Sequence, residues 1–127
     1  MPTRYLSDAE LARLAGYPET IADEDLVTFF RLEDEDLRWV RERRGGANRL
    51  GLALQLCTLP WLGFVPDDLS AAPAAAVRRL AAQLGVEPDA LAYYGGWEDR
   101  TRRDHLREVL GRLGWRSAGT GELKALD

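Results

Sequence analysis

The sequence is poor in the residues on which redox, catalytic and metal sites are usually built. It has one cysteine, Cys57, and one histidine, His105, in 127 residues. A single cysteine excludes an internal disulfide bond, and its apolar neighbours favour a small buried hydrophobe. The sequence also has no nucleophile elbow, Walker loop or metal-spaced cluster. We therefore predict a protein that is not an enzyme and that uses no cofactor and no metal, with His105 as a polar or capping residue on the flank of its helix.

Long apolar runs are absent as well. No stretch reaches the ~18 apolar residues of a membrane span, and the first residues lack the charged-then-apolar pattern of a signal peptide. No motif for a small-molecule substrate is present either. These absences predict a cytoplasmic location, with no membrane partner and no small-molecule substrate.

Strand signals are missing, since β-branched residues are few beside leucine and alanine and no segment alternates convincingly. The sequence therefore predicts an all-α fold, a compact bundle of about six to seven short helices, built as one unit or as two small helical lobes. We expect a helical domain over residues 1–116. Residues 117–127 are expected to be a linker and the start of a further helix.

Apolar spacing, acidic first turns and Gly or Pro stops predict where the helices lie. Pro60 is expected to end the fourth helix, and Gly85 the fifth. The first predicted helix begins at Ser7 and ends before Gly16. The others cover about 21–30, 33–44, 48–59, 73–84 and 98–113, with a short turn at 88–94 before the last one.

The fourth helix is apolar nearly all round, which predicts burial in the middle of the fold. Its narrow polar strip consists of Gly51, Gln55 and Thr58. The glycine there could let another backbone come close.

Charge is unevenly distributed along the chain. The net charge is −4 and the pI is about 5.1, which argues against a globally basic nucleic-acid binder. Residues 1–36 hold ten acids against three arginines, whereas residues 38–49 hold five arginines against Glu42 alone. Local sign matters more than the total, so a local basic surface is compatible with an acidic chain.

The arginines of residues 41–49 have two physical interpretations. Arg41, Arg43, Arg44 and Arg49 can grip phosphates or read guanine, or they can stabilise the end of the third helix and pair with the acids of residues 23–36. Two neighbouring residues have interpretations of their own. Asn48 is more typical of an N-cap than of a base contact, and Trp39 of a packing residue beside Arg43.

The last predicted helix carries a second basic stripe. Arg100, Arg103 and Arg107 line one flank and could follow a phosphate backbone, while Asp99, Asp104 and Glu108 offer ordinary surface pairing. Arg102 falls beside the apolar stripe, where its guanidinium needs a carboxylate, a carbonyl or a phosphate.

Two segments together carry a resemblance to a known family. They are RERRGGANRLGLALQLC at residues 41–57 and TRRDHL at residues 101–106. An arginine-rich stretch followed by Asn-Arg-Leu-Gly-x-Ala-Leu-Gln-Leu-Cys, and a later Thr-Arg-x-x-His-Leu, resemble the N-terminal helical domain of Tn3-family transposases. The similarity spans most of residues 4–116. Ala47 and the Pro60-Trp61 pair depart from the family pattern at either end of the fourth helix.

The resemblance implies a DNA-binding module that recognises the terminal inverted repeats of a transposon, through elements of helix-turn-helix character. The catalytic carboxylates of the family belong to a later domain, and no position here matches them. The implied partners are duplex DNA and other domains or a second copy of the transposase. Two alternatives remain: an interaction or dimerisation module that reads no sequence, and a small regulator or gene fragment. The implied DNA-binding residues are Arg41, Arg43, Arg44, Asn48, Arg49, Arg100, Arg102, Arg103 and Arg107.

Overall fold

The computed structural model describes residues 16–96 and 99–114. Within those ranges the chain is helical and has no strand, which confirms the all-α prediction. The helix predicted from Ser7 and the linker predicted at 117–127 lie outside the described residues. The elements are α1 (Asp23–Phe29), α2 (Asp34–Arg41), α3 (Gly46–Leu62), the 3-10 helix η1 (Leu69–Ala71), α4 (Ala74–Leu84), the 3-10 helix η2 (Pro88–Tyr93) and α5 (Arg100–Leu113).

Helix α2 has the acidic start and basic end that the sequence predicted, but it is shorter. Glu33 and Asp36 form a reciprocal capping box at its N terminus. The prediction placed its end at residue 44, and the helix ends at Arg41. The reason is a tightened last turn, in which the amides of Glu42 and Arg43 donate to the carbonyls of Trp39 and Val40, three residues back.

Helix α3 is longer than the predicted 48–59 at both ends. It begins at Gly46 and runs through Pro60 to Leu62. The prediction that Pro60 ends the helix was wrong because a proline in the last turn removes one donor, that to the Leu56 carbonyl, and leaves the rest of the turn intact. The helix ends instead at Gly63, whose φ of 83° is left-handed.

The core is organised around α3, as its composition predicted. Every residue from Leu50 to Leu59 is buried. Apolar side chains from the other elements pack on it and form a single cluster that extends from Phe30 to Val109. The described residues thus share one core, so the two-lobe alternative does not describe them. No helix in the described ranges is long and apolar enough to cross a membrane.

Candidate nucleic-acid interface

The turn between α2 and α3, residues 42–45, is held together by side chains from the start of α3. Arg49 donates from Nε to the Arg43 carbonyl at 2.8 Å and from Nη2 to the Arg41 carbonyl at 2.9 Å. Asn48 donates from Nδ2 to the Arg44 carbonyl at 3.1 Å. These bonds satisfy carbonyls that the end of α2 leaves without helical donors. Asn48 and Arg49 therefore hold the α2–α3 corner, defined here as residues 41–49.

The prediction that Asn48 is an N-cap was wrong. Because α3 begins at Gly46, Asn48 lies inside its first turn, and its side chain points back to a carbonyl rather than to the amides ahead of it. Gly45 is the N-cap residue, and it has no side chain with which to cap. The first amides of α3 consequently have no side-chain acceptor among the described residues.

Arg43 is half-buried and is tied to α5 and to Trp39. Its side chain is 19% exposed, donates from Nη1 to the Trp39 carbonyl and forms a 2.6 Å ion pair with Glu108 on α5. Its guanidinium lies 4.8 Å from the centroid of the Trp39 ring, and Arg112 of α5 lies at the same distance. Trp39 is thus the packing residue that the sequence predicted, between α2 and α5.

Arg41 and Arg44 have freer side chains. Arg41 is exposed and donates from Nη2 to the Gln83 carbonyl at the end of α4. Arg44 is exposed, and its side chain has no hydrogen-bond or ion-pair partner within residues 16–96 and 99–114. The corner therefore offers two exposed arginines, of which Arg44 has no partner in the described residues, beside the uncapped N terminus of α3, an arrangement that suits a phosphate.

Helix α3 cannot lie along a DNA groove in this fold. A recognition helix contacts base edges with its N-terminal residues, and in α3 the first turn is partly exposed whereas Leu50–Leu59 is buried. The corner has the sequence spacing of a helix-turn-helix, but its second helix serves as the centre of the core. A base contact along the length of a helix must therefore come from a helix with a free face.

Helix α5 has such a free face. Arg100, Arg103 and Arg107 are exposed along one side, with Arg100 89% and Arg107 75% exposed. Asp104 lies between them and pairs with Arg107 at 2.8 Å and with Arg100 at 4.0 Å. The Arg103 side chain has no partner in the described part of the chain. We call these three arginines the α5 stripe, which carries three positive charges against one aspartate.

Arg102 is separated from the stripe. It is 5% exposed and donates from Nη2 to the Pro66 carbonyl at 2.8 Å and from Nη1 to the Asp67 carbonyl at 2.5 Å. Burial lowers the pKa of its guanidinium. The predicted partner of this guanidinium was a carboxylate, a carbonyl or a phosphate, and in the structure it is a pair of backbone carbonyls. Arg102 thereby fixes the loop after α3 to α5.

His105 occupies an interior position, so its prediction as a flank or cap residue was wrong. It is 6% exposed, its ring stacks on Tyr94, and Nδ1 shares a 2.6 Å hydrogen bond with the Tyr94 hydroxyl. Gln55 Nε2 donates to the same hydroxyl at 2.9 Å. The Tyr94 ring covers Gly51, so the close neighbour predicted for that glycine is an aromatic ring and not a backbone. Burial lowers the pKa of His105.

A further basic surface was missed by the sequence reasoning. Arg31, Arg78 and Arg79 line a shallow groove of about 570 Å³ together with Ala75, Ala82 and Gln83. The sequence feature that could have indicated it is the Arg78-Arg79 pair on the polar side of α4. No group of three or more side chains within the described ranges could hold a metal ion.

These observations define a small helical domain with arginines on the faces of two of its outer helices and on the corner between α2 and α3. The chain belongs to the family described as Domain of unknown function (DUF4158), which matches residues 5–127. Among its curated relatives are three transposases. The transposase for transposon Tn501 of Pseudomonas aeruginosa is 36% identical over 99% of this chain, that for Tn21 of Escherichia coli 39% over 91%, and that for gamma-delta of Escherichia coli strain K12 32% over 94%.

The resemblance to Tn3-family transposases is thereby confirmed. The chain spans only 12% to 13% of the length of these three relatives. No solved structure matches it.

Proposed function

We propose that this domain binds duplex DNA for a Tn3-family transposase and recognises the terminal inverted repeats of the transposon, with no part in cutting or joining strands. The relatives are transposases of about eight times this length, so the chain corresponds to a small portion of each. If this portion only recognises the transposon ends, strand cutting and joining take place in another part of the relatives.

The α5 stripe is the observation that carries the proposal. Its arginines lie on an exposed helix face, and Arg103 has no ion-pair partner among the described residues. Arginine forks match phosphate oxygens and the guanine edge in the major groove, and a helix is the element that fits that groove. Gly111 lies on the same exposed side of α5 and adds no side chain that would hold the helix away from the bases.

The α2–α3 corner supports the proposal as a phosphate seat. Glu108 pairs with Arg43 at 2.6 Å, which places the end of α2 beside the middle of α5. Asp36 pairs with Arg112 at 2.8 Å, so the two helices run antiparallel. The exposed Arg44 and the uncapped amides of α3 therefore lie at the C-terminal end of α2, which is beside the middle of α5. A phosphate bound there would fix the register of α5 on the duplex.

The proposal is tested by fluorescence anisotropy with a terminal-repeat duplex and a scrambled duplex of equal length, over a salt series. The test variants are Arg103→Glu and Arg44→Glu, because neither side chain has a partner within the described residues and the fold should tolerate both changes. Arg38→Glu is the matched control, since Arg38 is also exposed, has no such partner and lies outside the proposed surface.

We expect the wild-type chain to prefer the terminal repeat, with an affinity that falls steeply with salt. Arg103→Glu should weaken repeat binding by about fivefold or more, and Arg38→Glu should leave the preference unchanged. Equal binding of both duplexes by the wild-type chain contradicts repeat recognition. Self-association without DNA, measured by analytical ultracentrifugation, would then favour the dimerisation alternative.

A further inference from the structure

The groove on α4 is built by hydrogen bonds that fix the position of its arginines. Gln83 Nε2 donates to the Phe30 carbonyl at 2.8 Å, and Gln83 Oε1 accepts from the Leu32 amide at 2.8 Å. These two residues flank Arg31 in the chain. The side chain of one glutamine therefore clamps the segment after α1 onto α4, and Arg31 is held beside the arginines of that helix.

Arg79 is oriented in the same way. Its Nε donates to the Phe30 carbonyl at 3.2 Å, which leaves both terminal nitrogens of the guanidinium without a hydrogen-bond partner in the described part of the chain. A guanidinium that is already fixed through Nε loses less conformational entropy when it binds a ligand. Arg78 is exposed and has no ion pair within the same residues.

The remaining wall of the groove is small and uncharged. Ala75 and Ala82 line the groove about one turn before and one turn after the Arg78-Arg79 pair, and their small side chains let a ligand approach the helix closely. No acidic side chain lines the groove, and the nearest ion pair joins Arg31 to Glu33 at 3.7 Å between side chains that are 65% and 68% exposed. An exposed pair of this length is weak and is easily exchanged for a stronger anion.

The groove lies next to the α2–α3 corner. Arg41, at one end of the corner, donates to the carbonyl of Gln83, which lines the groove. A basic path therefore runs from the corner along α4 to Arg31. Three arginines on a shallow, acid-free surface are complementary in charge to a line of phosphates rather than to one small anion.

We propose that this groove binds the phosphate backbone of the same DNA duplex, as a contact that adds affinity without reading sequence. The inference rests on the proposed function, because it extends the DNA-contacting surface from the corner to α4. Arg31, Arg78 and Arg79 are the ligands of the phosphates, and Gln83 is the residue that positions Arg31.

The test compares Arg31→Gln and Arg78→Gln with the wild-type chain in the anisotropy titrations described above. Arg38→Gln is the matched control, because it removes the same charge from another exposed arginine. Circular dichroism melting checks that each variant is folded. Each groove variant should bind about twofold to fivefold more weakly at low salt. The slope of log affinity against log salt should fall by about 0.9 for each phosphate contact removed.

Loss of a backbone contact must weaken binding to the terminal repeat and to the scrambled duplex by the same factor, so the preference between them should not change. The inference is overturned if the groove variants keep the wild-type slope, or if Arg38→Gln lowers the slope equally. Variants that lose self-association and keep DNA binding would overturn it too, and would assign the groove to an acidic protein surface.

Failure of the proposed function gives a different pattern. In that case the wild-type chain binds both duplexes equally, while Arg78→Gln still lowers the salt slope. If only the groove proposal fails, the wild-type chain still prefers the terminal repeat, and Arg78→Gln has the same salt slope as the wild-type chain.

Discussion

At the scale of single residues, His105 is a titratable group whose protonation the fold opposes. It is the one histidine of the chain and is buried against Tyr94. Desolvation lowers its pKa below the ordinary value of about 6.5, and the neighbouring Glu108 opposes the shift. The folded chain therefore prefers the neutral imidazole.

This preference predicts a pH dependence of stability. The unfolded chain takes up a proton at His105 as the pH falls through about 6.5, whereas the folded chain does so only at lower pH. The contribution of neutral His105 to the free energy of unfolding is fully present above pH 6.5, and it decreases as the pH falls toward the lowered pKa. Urea unfolding at several pH values between about 7 and 5.5 should show a falling free energy of unfolding.

The control for that measurement is His105→Gln, which keeps a polar partner for the Tyr94 hydroxyl. Its free energy of unfolding should be lower at neutral pH and nearly flat over the same pH range. The two proteins share every other titratable group, so the difference between their curves isolates the contribution of His105. A variant as pH-dependent as the wild-type chain would show that His105 is not the group responsible.

The arginines show what sequence could and could not predict about the site. Arg43 and Arg44 are neighbours in the arginine cluster that the sequence predicted as a DNA-binding site, yet one is tied to Trp39 and Glu108 and the other is exposed. The difference depends on where α5 lies, and α5 is more than fifty residues away in the chain. The separation of Arg102 from the α5 stripe was visible, because helical spacing placed it beside the apolar residues.

At the scale of elements, the centres of the helices were predictable and several of their ends were not. Apolar spacing placed α3 and α4 correctly, and the burial of α3 followed from its composition. The end of α2 depends on a tightened turn, and the start of α3 on Gly45 and on the bonds of Arg49. The groove on α4 was out of reach because it needs Gln83 to bring Arg31 beside that helix.

The packing of η2 on α3 makes a prediction about Gly51. A Cβ atom at this position would overlap Cγ, Cδ2 and Cε2 of the Tyr94 ring, and the ring is held by its bond to His105. Gly51→Ala should therefore destabilise the fold by about 1–3 kcal/mol in denaturant unfolding, although alanine is the better helix former.

Gly111→Ala is the matched control for this substitution. Gly111 also lies inside a helix, α5, and a Cβ atom there meets nothing within 4 Å. This change should stabilise the domain by up to about 1 kcal/mol. If Gly51→Ala is as stable as Gly111→Ala, Tyr94 does not pack on α3 as described.

At the scale of the whole molecule, an acidic chain with a net charge of −4 is proposed to bind a polyanion. The arginines of the proposed surface must act locally against this background. The acids are concentrated in residues 1–36, many of them on the exposed starts of α1 and α2. The long-range repulsion between these acids and DNA opposes non-specific binding, while short-range contacts at the arginines are left intact.

Neutralising three of these acids should therefore change affinity without changing preference. Glu19→Gln, Glu24→Gln and Glu35→Gln affect exposed residues and together raise the net charge from −4 to −1. At about 10 mM salt, where the Debye length is ~30 Å, this triple variant should bind the terminal repeat and the scrambled duplex about fivefold more tightly than the wild-type chain.

At about 0.15 M salt the Debye length is ~8 Å, and the advantage of the triple variant should disappear because the acids no longer act across the molecule. Anisotropy titrations at both salt concentrations measure this directly. A gain confined to the terminal repeat, or one that persists at the higher salt, would mean that one of the three glutamates lies against the DNA. The recognition surface would then extend over α1 and α2, and the separation of acidic and basic surfaces proposed for this domain would not hold.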